Sequence, residues 1–274
     1  MSIHSVSVAN RSWSPRESFD YCEKIAYEHY ENFPVASRFI PAEKRPFIAA
    51  IYAFARAADD FADEPGYTQA ERIESLNRWD ELLARCYEGE SSHPVFVAIA
   101  ETVERFQIPK DLFQNLLTAF RSDVTTRRYA SFEQVLDYCS FSANPIGRLV
   151  LLLFNYRSEL MMMHSDNICT ALQLTNFWQD ISVDILKDRL YLPKEDLDQF
   201  GVTEEEILSQ NPTPRFRKLL SYEVARTERL FPKASWLDAL SGDAQKADAA
   251  DADRISSVNS DDNGLYRMFI GISP

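Results

Sequence analysis

The chain has 274 residues, of which 26% are charged and 12% aromatic, and its formal net charge is −13. This acidity argues against nucleic acid or an anionic membrane as the main partner, although bound metal ions would invert the local charge and let the protein hold an anion. Only seven glycines occur, which leaves little turn chemistry for a β-rich fold. We therefore expect an all-α protein, a single-domain helical bundle with a central active-site cavity.

The N-terminal segment, MSIHSVSVANRSWSPRE, lacks the apolar stretch of a signal peptide. No apolar run in the chain reaches the roughly 20 residues of a membrane span. The four cysteines show no CxxC spacing, so reduced thiols are the simplest interpretation. We expect a cytoplasmic protein with a flexible extension over residues 1–15 and a helical domain over residues 16–236.

A first acidic pair lies in the segment PFIAAIYAFARAADDFAD. The apolar line through Ile48 and Tyr52 runs at helical spacing into Asp59 and Asp63, so both carboxylates extend a core-facing stripe. Like charges at this spacing repel, and a helix that carries them inward needs a compensating cation. Arg56 lies on the same side of the helix, and divalent magnesium is the candidate metal.

A helix break is predicted farther along, in the segment SFSANPIGRLVLLLF. Pro145 removes a backbone donor and Gly147 loosens the same turn, so a helix should kink here. Ser142 and Asn144 add polar groups at this point. They could hold a water molecule or simply cap the break.

The second acidic pair lies in ICTALQLTNFWQDISVDIL, which is apolar nearly all round. Gln173, Asn176, Asp180 and Asp184 nevertheless recur at helical spacing and form an inward polar stripe that needs partners. One acidic pair alone is usually a solvated face. Two pairs in apolar sequence, with amide and guanidinium donors nearby, favour a magnesium and diphosphate site, because oxygen ligands suit hard cations.

The C-terminal sequence changes character after about Trp236, where SGDAQKADAADADRISSVNSDDNG is biased toward Ala and Asp and shows no apolar period. Such a segment cannot bury enough apolar surface to offset the entropy of ordering its backbone. We expect residues 237–274 to form a disordered acidic tail.

Four ordered motifs resemble the squalene/phytoene synthase family of head-to-head prenyl diphosphate synthases: FPVASRFIP, AIYAFARAADDFAD, YCSFSANPIGR and LTNFWQDISVDILKDRLYLP. The resemblance covers about residues 25–232 and implies the isoprenoid synthase fold. Within the family, ENFPVASR, SANPIGR and NFWQD are most similar to the hydroxysqualene synthase branch of bacterial hopanoid biosynthesis.

The resemblance also implies roles for individual residues. The implied ligands of Mg²⁺, the expected cofactor, are Asp59, Asp63, Asn176, Asp180 and Asp184. The implied diphosphate contacts are Arg38, Arg56, Gln173 and Arg189. The implied contacts of the prenyl chain at the helix break are Ser142, Ala143 and Gly147. The implied catalytic residues are Arg56 and the phenols Tyr138 and Tyr191, and the competing interpretation of each phenol is a core residue with a satisfied hydroxyl.

The reaction implied by this branch is the magnesium-dependent conversion of presqualene diphosphate and water to hydroxysqualene and diphosphate. Alternatives are the synthesis of presqualene diphosphate, squalene or phytoene from two prenyl diphosphates, or an inactive scaffold that partners active synthases. No G-x-G-x-x-G loop occurs, so we expect a product formed without NADPH. The oily product is compatible with peripheral contact with the inner membrane and with association with other hopanoid-pathway enzymes.

Overall fold

The computed structural model describes residues 12–29, 40–63 and 65–231. Within those ranges the chain forms eleven α-helices, one 3-10 turn and no strand, which confirms the all-α prediction. The helices are α1 Pro15–His29, α2 Arg45–Asp63, α3 Gln69–Tyr87, α4 Pro94–Phe106, α5 Lys110–Thr125, α6 Phe132–Ser142, α7 Asn144–Leu153, α8 Glu159–Asp184, α9 Lys194–Phe200, α10 Glu204–Leu208 and α11 Pro214–Glu228. The 3-10 turn, Ile185–Lys187, directly follows α8.

Three sequence predictions fall partly or wholly outside the described residues. They concern Arg38, most of the N-terminal extension and the tail at 237–274.

Helix α2 lies among α1, α3, α4 and α5. Seven of its 19 residues are alanine. Alanine has the highest helix propensity, and its small side chain lets neighbouring helices approach closely. The indole Nε1 of Trp79 on α3 donates a hydrogen bond of 3.3 Å to the carbonyl oxygen of Phe54. The aromatic rings of Phe96 and Phe113 pack against Phe54 from α4 and α5. These contacts hold α2 in place, and with it the backbone that carries the carboxylates at its C-terminal end.

The apolar interior of the described residues divides into two clusters. One is built mainly from α1 to α5 and α7, and the other from α6, α8 and the helices that follow. Helix α8 has 26 residues, a length of about 39 Å, and packs against α6, α7 and α11. The two acidic pairs thus belong to different clusters, α2 in the first and the C-terminal part of α8 in the second.

The predicted helix break is confirmed. Helix α6 ends at Ser142, and α7 starts at Asn144 with Pro145 in its first turn, where proline is best tolerated. The Oδ1 atom of Asn144 accepts a hydrogen bond of 2.9 Å from the hydroxyl of Thr170 on α8. Asn144 therefore joins the break to the long helix, whereas no side chain caps the start of α7.

A tight reversal after α8 returns the chain to the bundle. Asp188 has φ of 60°, a left-handed conformation that Asp tolerates better than most residues. The guanidinium of Arg128 donates to the Asp188 carbonyl at 2.6 Å and to its carboxylate at 2.9 Å. The amide of Leu190 donates to the carbonyl of Arg127 at 3.0 Å. These bonds fix the direction of the two residues on either side of Leu190, which are Arg189 and Tyr191.

None of the described helices is both long enough and apolar enough to cross a membrane.

Candidate active site

The last turns of α2 present an acidic cluster around one guanidinium group. The Nη1 atom of Arg56 lies 3.3 Å from Asp59 Oδ2, and its Nη2 atom donates to Asp60 Oδ1. Asp59 is buried, with 9% of its surface exposed, as the apolar periodicity predicted. Its other oxygen, Oδ1, is buried and has no hydrogen-bond partner. Arg56 thus compensates only part of the negative charge at this end of α2.

The second carboxylate of this helix, Asp63, pairs with a residue that lies just after the 3-10 turn at the end of α8. The two Nη atoms of Arg189 reach the two carboxylate oxygens of Asp63, and the Nη1 to Oδ2 distance is 3.2 Å. Arg189 is 5% exposed, whereas the Asp63 side chain is 36% exposed. The structure therefore brings together a predicted metal ligand and a predicted diphosphate contact.

The polar stripe on α8 is only partly buried. Gln173 and Asn176 are 4% and 6% exposed, and Asp184 is 9% exposed. Asp180 is exposed, so the expectation of an inward side chain is wrong for this residue. A helix that is apolar nearly all round gives little information about which face is buried. In the last turns of α8 the buried face carries Ile181 and Asp184 and leaves Asp180 exposed.

Burial shapes the protonation of both acidic pairs. Loss of solvent raises the pKa of Asp59 to about 7, an effect that Arg56 opposes and Asp63 reinforces. Burial also raises the pKa of Asp184 to about 6, with a further increase from Asp180. Arg189 lowers the pKa of both Asp59 and Asp184. The backbone amide of Arg189 also donates to the carbonyl of Asp184 at 2.9 Å, and its guanidinium pairs with Asp63, so this one residue contacts both acidic pairs.

The carboxylates of the two acidic pairs and the guanidinium groups of Arg56 and Arg189 are chemically suited to bind magnesium and a diphosphate. In the described part of the chain, no three His, Cys, Asp or Glu residues gather closely enough to form a metal cage. Magnesium commonly takes one or two carboxylates and fills its remaining positions with water and substrate phosphates, so separate pairs suffice. Three buried polar atoms also lack partners, namely Asp59 Oδ1 and the Nε atoms of Arg56 and Arg189. An unpaired acceptor beside two unpaired donors suits a metal ion and an anion together.

The predicted phenol Tyr138 lies in the interior and is hydrogen-bonded to a carboxylate. Its hydroxyl donates to Asp123 Oδ1 at 2.8 Å, and the two side chains are 5% and 4% exposed. Burial raises the pKa of Asp123 to about 7, although the hydrogen bond from Tyr138 and the charge of Arg189 lower it. Tyr138 is therefore a buried residue whose hydroxyl has a hydrogen-bond partner, as one of the two sequence interpretations proposed. Its catalytic role stays a prediction.

The second phenol, Tyr191, belongs to an aromatic wall beside Tyr138. Its ring stacks on Phe177 of α8, with the centroids 3.7 Å apart and an interplanar angle of 3°. The rings of Tyr129 and Tyr138 lie 5.6 and 5.8 Å from that of Tyr191. Aromatic faces carry negative charge density and favour a cation over them. Tyr191 follows Arg189 by two residues, and the guanidinium of Arg189 pairs with Asp63, so the chain connects this wall closely to the acidic cluster.

The three residues predicted to contact a prenyl chain lie at the helix break. Ser142 and Ala143 are partly buried, and the Ser142 hydroxyl oxygen has no hydrogen-bond partner. Gly147 is buried against α8, and a Cβ atom at this position would come within 3.0 Å of side-chain atoms of Ser165 and Cys169. The structure thus gives Gly147 a packing function, and contact of these residues with a prenyl chain stays a prediction.

Two residues of this site escaped the sequence analysis, Asp123 and Tyr129. Asp123 follows Leu116 and Ala119 at helical spacing on α5, and both of these are buried. An acidic residue that continues an apolar stripe is the same signal that identified Asp59. It was not recognised because Asp123 has no acidic partner four residues away.

Comparisons with known proteins place these observations in a family. The sequence profile of the squalene/phytoene synthases matches residues 26–253. A hydroxysqualene synthase from Rhodopseudomonas palustris is 38% identical over 204 residues, 73% of this chain and 68% of the relative. A phytoene synthase from Arthrospira platensis is 27% identical over 231 residues, 80% of this chain and 74% of the relative.

A solved structure agrees with these matches. The crystal structure of squalene synthase HpnC from Alicyclobacillus acidocaldarius superposes with a TM-score of 0.79 at 33% identity and covers 94% of this chain and 93% of that protein. The chain therefore belongs to the squalene/phytoene synthase family, and the predicted isoprenoid synthase bundle is confirmed.

Proposed function

We propose that this enzyme is a hydroxysqualene synthase, which converts presqualene diphosphate and water to hydroxysqualene and diphosphate with the help of magnesium. The observation that carries the proposal is the contact between Asp63 and Arg189, which brings the acidic ends of α2 and α8 to one site beside an aromatic wall. The choice of branch is supported by identities of 34–38% to three hydroxysqualene synthases, against 26–27% to several phytoene synthases.

The polar end of the site would bind the diphosphate. Asp59, Asp63, Asn176, Asp180 and Asp184 would hold magnesium, which neutralises the charge that develops on the leaving diphosphate. Arg56 and Arg189 would contact phosphate oxygens, since planar guanidinium groups bind them in two-point fashion. Their buried Nε donors are available for such contacts. Arg38 and Gln173 complete the proposed diphosphate contacts.

The aromatic end of the site would protect the cation. When the bond from carbon to the diphosphate oxygen breaks, a cyclopropylcarbinyl cation remains and rearranges. The rings of Tyr191, Phe177 and Tyr129 provide apolar faces that favour positive charge and exclude bulk water. Capture then forms a bond between the cation and the oxygen of one water molecule, which releases a proton.

Product analysis in isotopically labelled water tests the proposal. Purified protein is incubated with presqualene diphosphate, magnesium and H₂¹⁸O without NADPH, and the lipid product is analysed by mass spectrometry. We expect hydroxysqualene that carries ¹⁸O. A parallel incubation with farnesyl diphosphate or geranylgeranyl diphosphate distinguishes a condensing synthase. An unlabelled hydrocarbon as the main product, or turnover of only the condensation substrates, would contradict the proposal.

A further inference from the structure

Asp123 is a deeply buried carboxylate that is not among the proposed ligands of magnesium or the proposed contacts of the diphosphate. It is 4% exposed on α5, and the hydroxyl of Tyr138 donates to its Oδ1 atom at 2.8 Å. Arg189, which acts on Asp123 through its charge, forms its ion pair with Asp63 instead. In the part of the chain that the structure describes, Asp123 therefore has a phenol as its hydrogen-bond partner and no ion pair.

A carboxylate in this setting costs folding free energy. Removing a charged group from water is unfavourable unless an opposite charge or several hydrogen bonds replace the water. An amide or an apolar residue would pack at lower cost. Strongly perturbed acidic groups that lie beside a reaction site are candidates for functional residues. The position of Asp123 beside the aromatic wall makes such a role worth testing.

The surroundings of the pair are aromatic. The ring of Tyr138 lies 5.8 Å from Tyr129, 5.8 Å from Tyr191 and 5.9 Å from Phe177, measured between centroids. Such a wall stabilises a cation, and its rings do not accept a proton. Capture of the cation by water does require a proton acceptor. The hydroxyl of Tyr138, backed by the Asp123 carboxylate, is a polar group of this wall that can supply one.

We propose that Asp123 is a positioning residue that orients the Tyr138 hydroxyl and completes a relay for the proton released when water captures the cation. This inference rests on the proposed hydroxysqualene synthase reaction. As the water oxygen bonds to the cationic carbon, one water proton passes to the Tyr138 oxygen. The hydroxyl proton of Tyr138 passes at the same time to Asp123 Oδ1, along the existing hydrogen bond. No electrons are exchanged, and Tyr138 ends the step as it began.

The protonation state of Asp123 fits this use. Its raised pKa of about 7 means that the group can accept a proton near neutral pH and return it before the next cycle. A carboxylate with an ordinary pKa near 3.9 would be a much weaker proton acceptor.

The test separates ionisation from capture. Presqualene diphosphate is given to the unmodified protein and to the variants Asp123→Asn, Tyr138→Phe and Asp137→Asn. Asp137 is the exposed neighbour of Tyr138, so Asp137→Asn removes one carboxylate charge without touching the pair. Diphosphate release reports ionisation, and the hydroxylated fraction of the lipid product reports capture. Thermal melting shows that each variant is folded.

Asp123→Asn retains an oxygen that can accept from Tyr138 and removes the basic group. We expect diphosphate release to change by less than about tenfold, whereas the hydroxylated fraction falls by at least about tenfold in favour of products formed by proton loss. Tyr138→Phe should shift the product mixture in the same direction. Asp137→Asn should match the unmodified protein.

Two results would overturn the inference. An unchanged hydroxylated fraction in Asp123→Asn would show that the carboxylate takes no part in capture. A parallel loss of diphosphate release and hydroxylated product would assign Asp123 to ionisation or to folding. Failure of the proposed reaction is detected with the unmodified protein alone. That protein would then release diphosphate without hydroxylated product, or would not turn over presqualene diphosphate at all. Either result rejects the relay together with the reaction.

Discussion

Asp63 and Arg189 are 126 positions apart in the chain, yet their side chains form a two-point ion pair. Asp63 ends α2, and Arg189 directly follows the left-handed residue Asp188 that reverses the chain after α8. The pair therefore depends on two local features, the length of one helix and the turn that follows another. Arg189 is buried and Asp63 is more than a third exposed, so the contact lies where the interior opens to solvent.

Arg189→Lys should separate catalysis from stability. Lysine keeps the charge but loses the two-point geometry with a carboxylate or a phosphate. Since water can reach Asp63, we expect a loss of less than about 1 kcal/mol in unfolding free energy. The proposed diphosphate contact predicts a much larger effect on kcat/KM, on the order of 100-fold. Chemical denaturation and steady-state kinetics on the same preparation measure the two effects.

Arg217→Lys is a suitable control for that experiment, because Arg217 lies on α11 and forms none of the ion pairs found among the described residues. Its kinetics and stability should equal those of the unmodified protein. A loss of stability in Arg189→Lys that accounts for the whole loss of activity would contradict a role in diphosphate binding.

Magnesium dependence is the second prediction. Asp59→Asn, Asp63→Asn and Asp184→Asn should each lower turnover by roughly 100-fold or more, because a neutral amide is a poor replacement for a carboxylate that binds Mg²⁺. Asp180→Asn tests whether the exposed carboxylate turns toward the metal when substrate is bound. Initial rates are measured across a magnesium titration.

Asp198→Asn provides the matched control, since Asp198 pairs with Lys194 and both side chains are exposed. It should leave the magnesium titration unchanged. Full activity of the unmodified protein in excess chelator, or normal rates in the three variants at α2 and the end of α8, would refute the metal site.

The burial of Asp59 was predictable, whereas its tertiary partners were not. The apolar period of α2 runs into this residue, and a period of 3.6 determines which face is buried. Asp180 belongs to an equally regular spacing but is exposed. Helix α8 is apolar on nearly every side, so spacing alone could not give its orientation. The contact of Asp63 with Arg189 depends on how distant elements pack, which a helical period does not encode.

The helix break was predictable for a similar reason. Pro145 cannot donate a backbone hydrogen bond, and this local constraint operates in any fold. The function of Gly147 was less accessible, because its close neighbours come from α8 and not from its own helix. Asp123 lacked both a paired acid and a local motif. Its importance emerges only from the contact with Tyr138.

The metal-free protein should lose stability as the pH rises through the titration of Asp59. Its pKa is about 7 in the folded state, against roughly 3.9 in an unfolded chain. Between these values the folded state binds more protons than the unfolded state. The favourable contribution is therefore fully present below pH 4 and is lost as the pH rises toward and through 7.

Asp59→Asn removes this titration. We expect its unfolding free energy to fall less than that of the unmodified protein between pH 5 and 7.5, with a difference on the order of 1–2 kcal/mol. Denaturation is measured with a chelator present, so that metal binding does not mask the effect. Parallel stability curves for the two proteins would show that the Asp59 carboxyl titrates at the same pH in the folded and unfolded states.

The last prediction concerns the close contact of α7 with α8 at Gly147. A methyl group at this position would come within 3.0 Å of the Ser165 hydroxyl and the Cys169 sulfur, so these two side chains must rotate or the helices must separate slightly. Forcing extra volume into a packed interface typically costs 1–3 kcal/mol. We therefore expect Gly147→Ala to lower the unfolding free energy by about 2 kcal/mol, even though alanine has the higher helix propensity.

A double-mutant cycle identifies the cause of that loss. Ser165→Ala with Cys169→Ala removes both clashing atoms, after which the nearest remaining neighbour is the Cβ atom of residue 165, at an ordinary contact distance of 3.6 Å. In this background Gly147→Ala should cost far less, and the coupling energy should be at least about 1 kcal/mol. Additive effects would mean that the loss of stability has a cause other than these two contacts. If the coupling is found and stability is restored, an activity defect that remains in the triple variant would indicate that Gly147 is also needed for the approach of a prenyl chain.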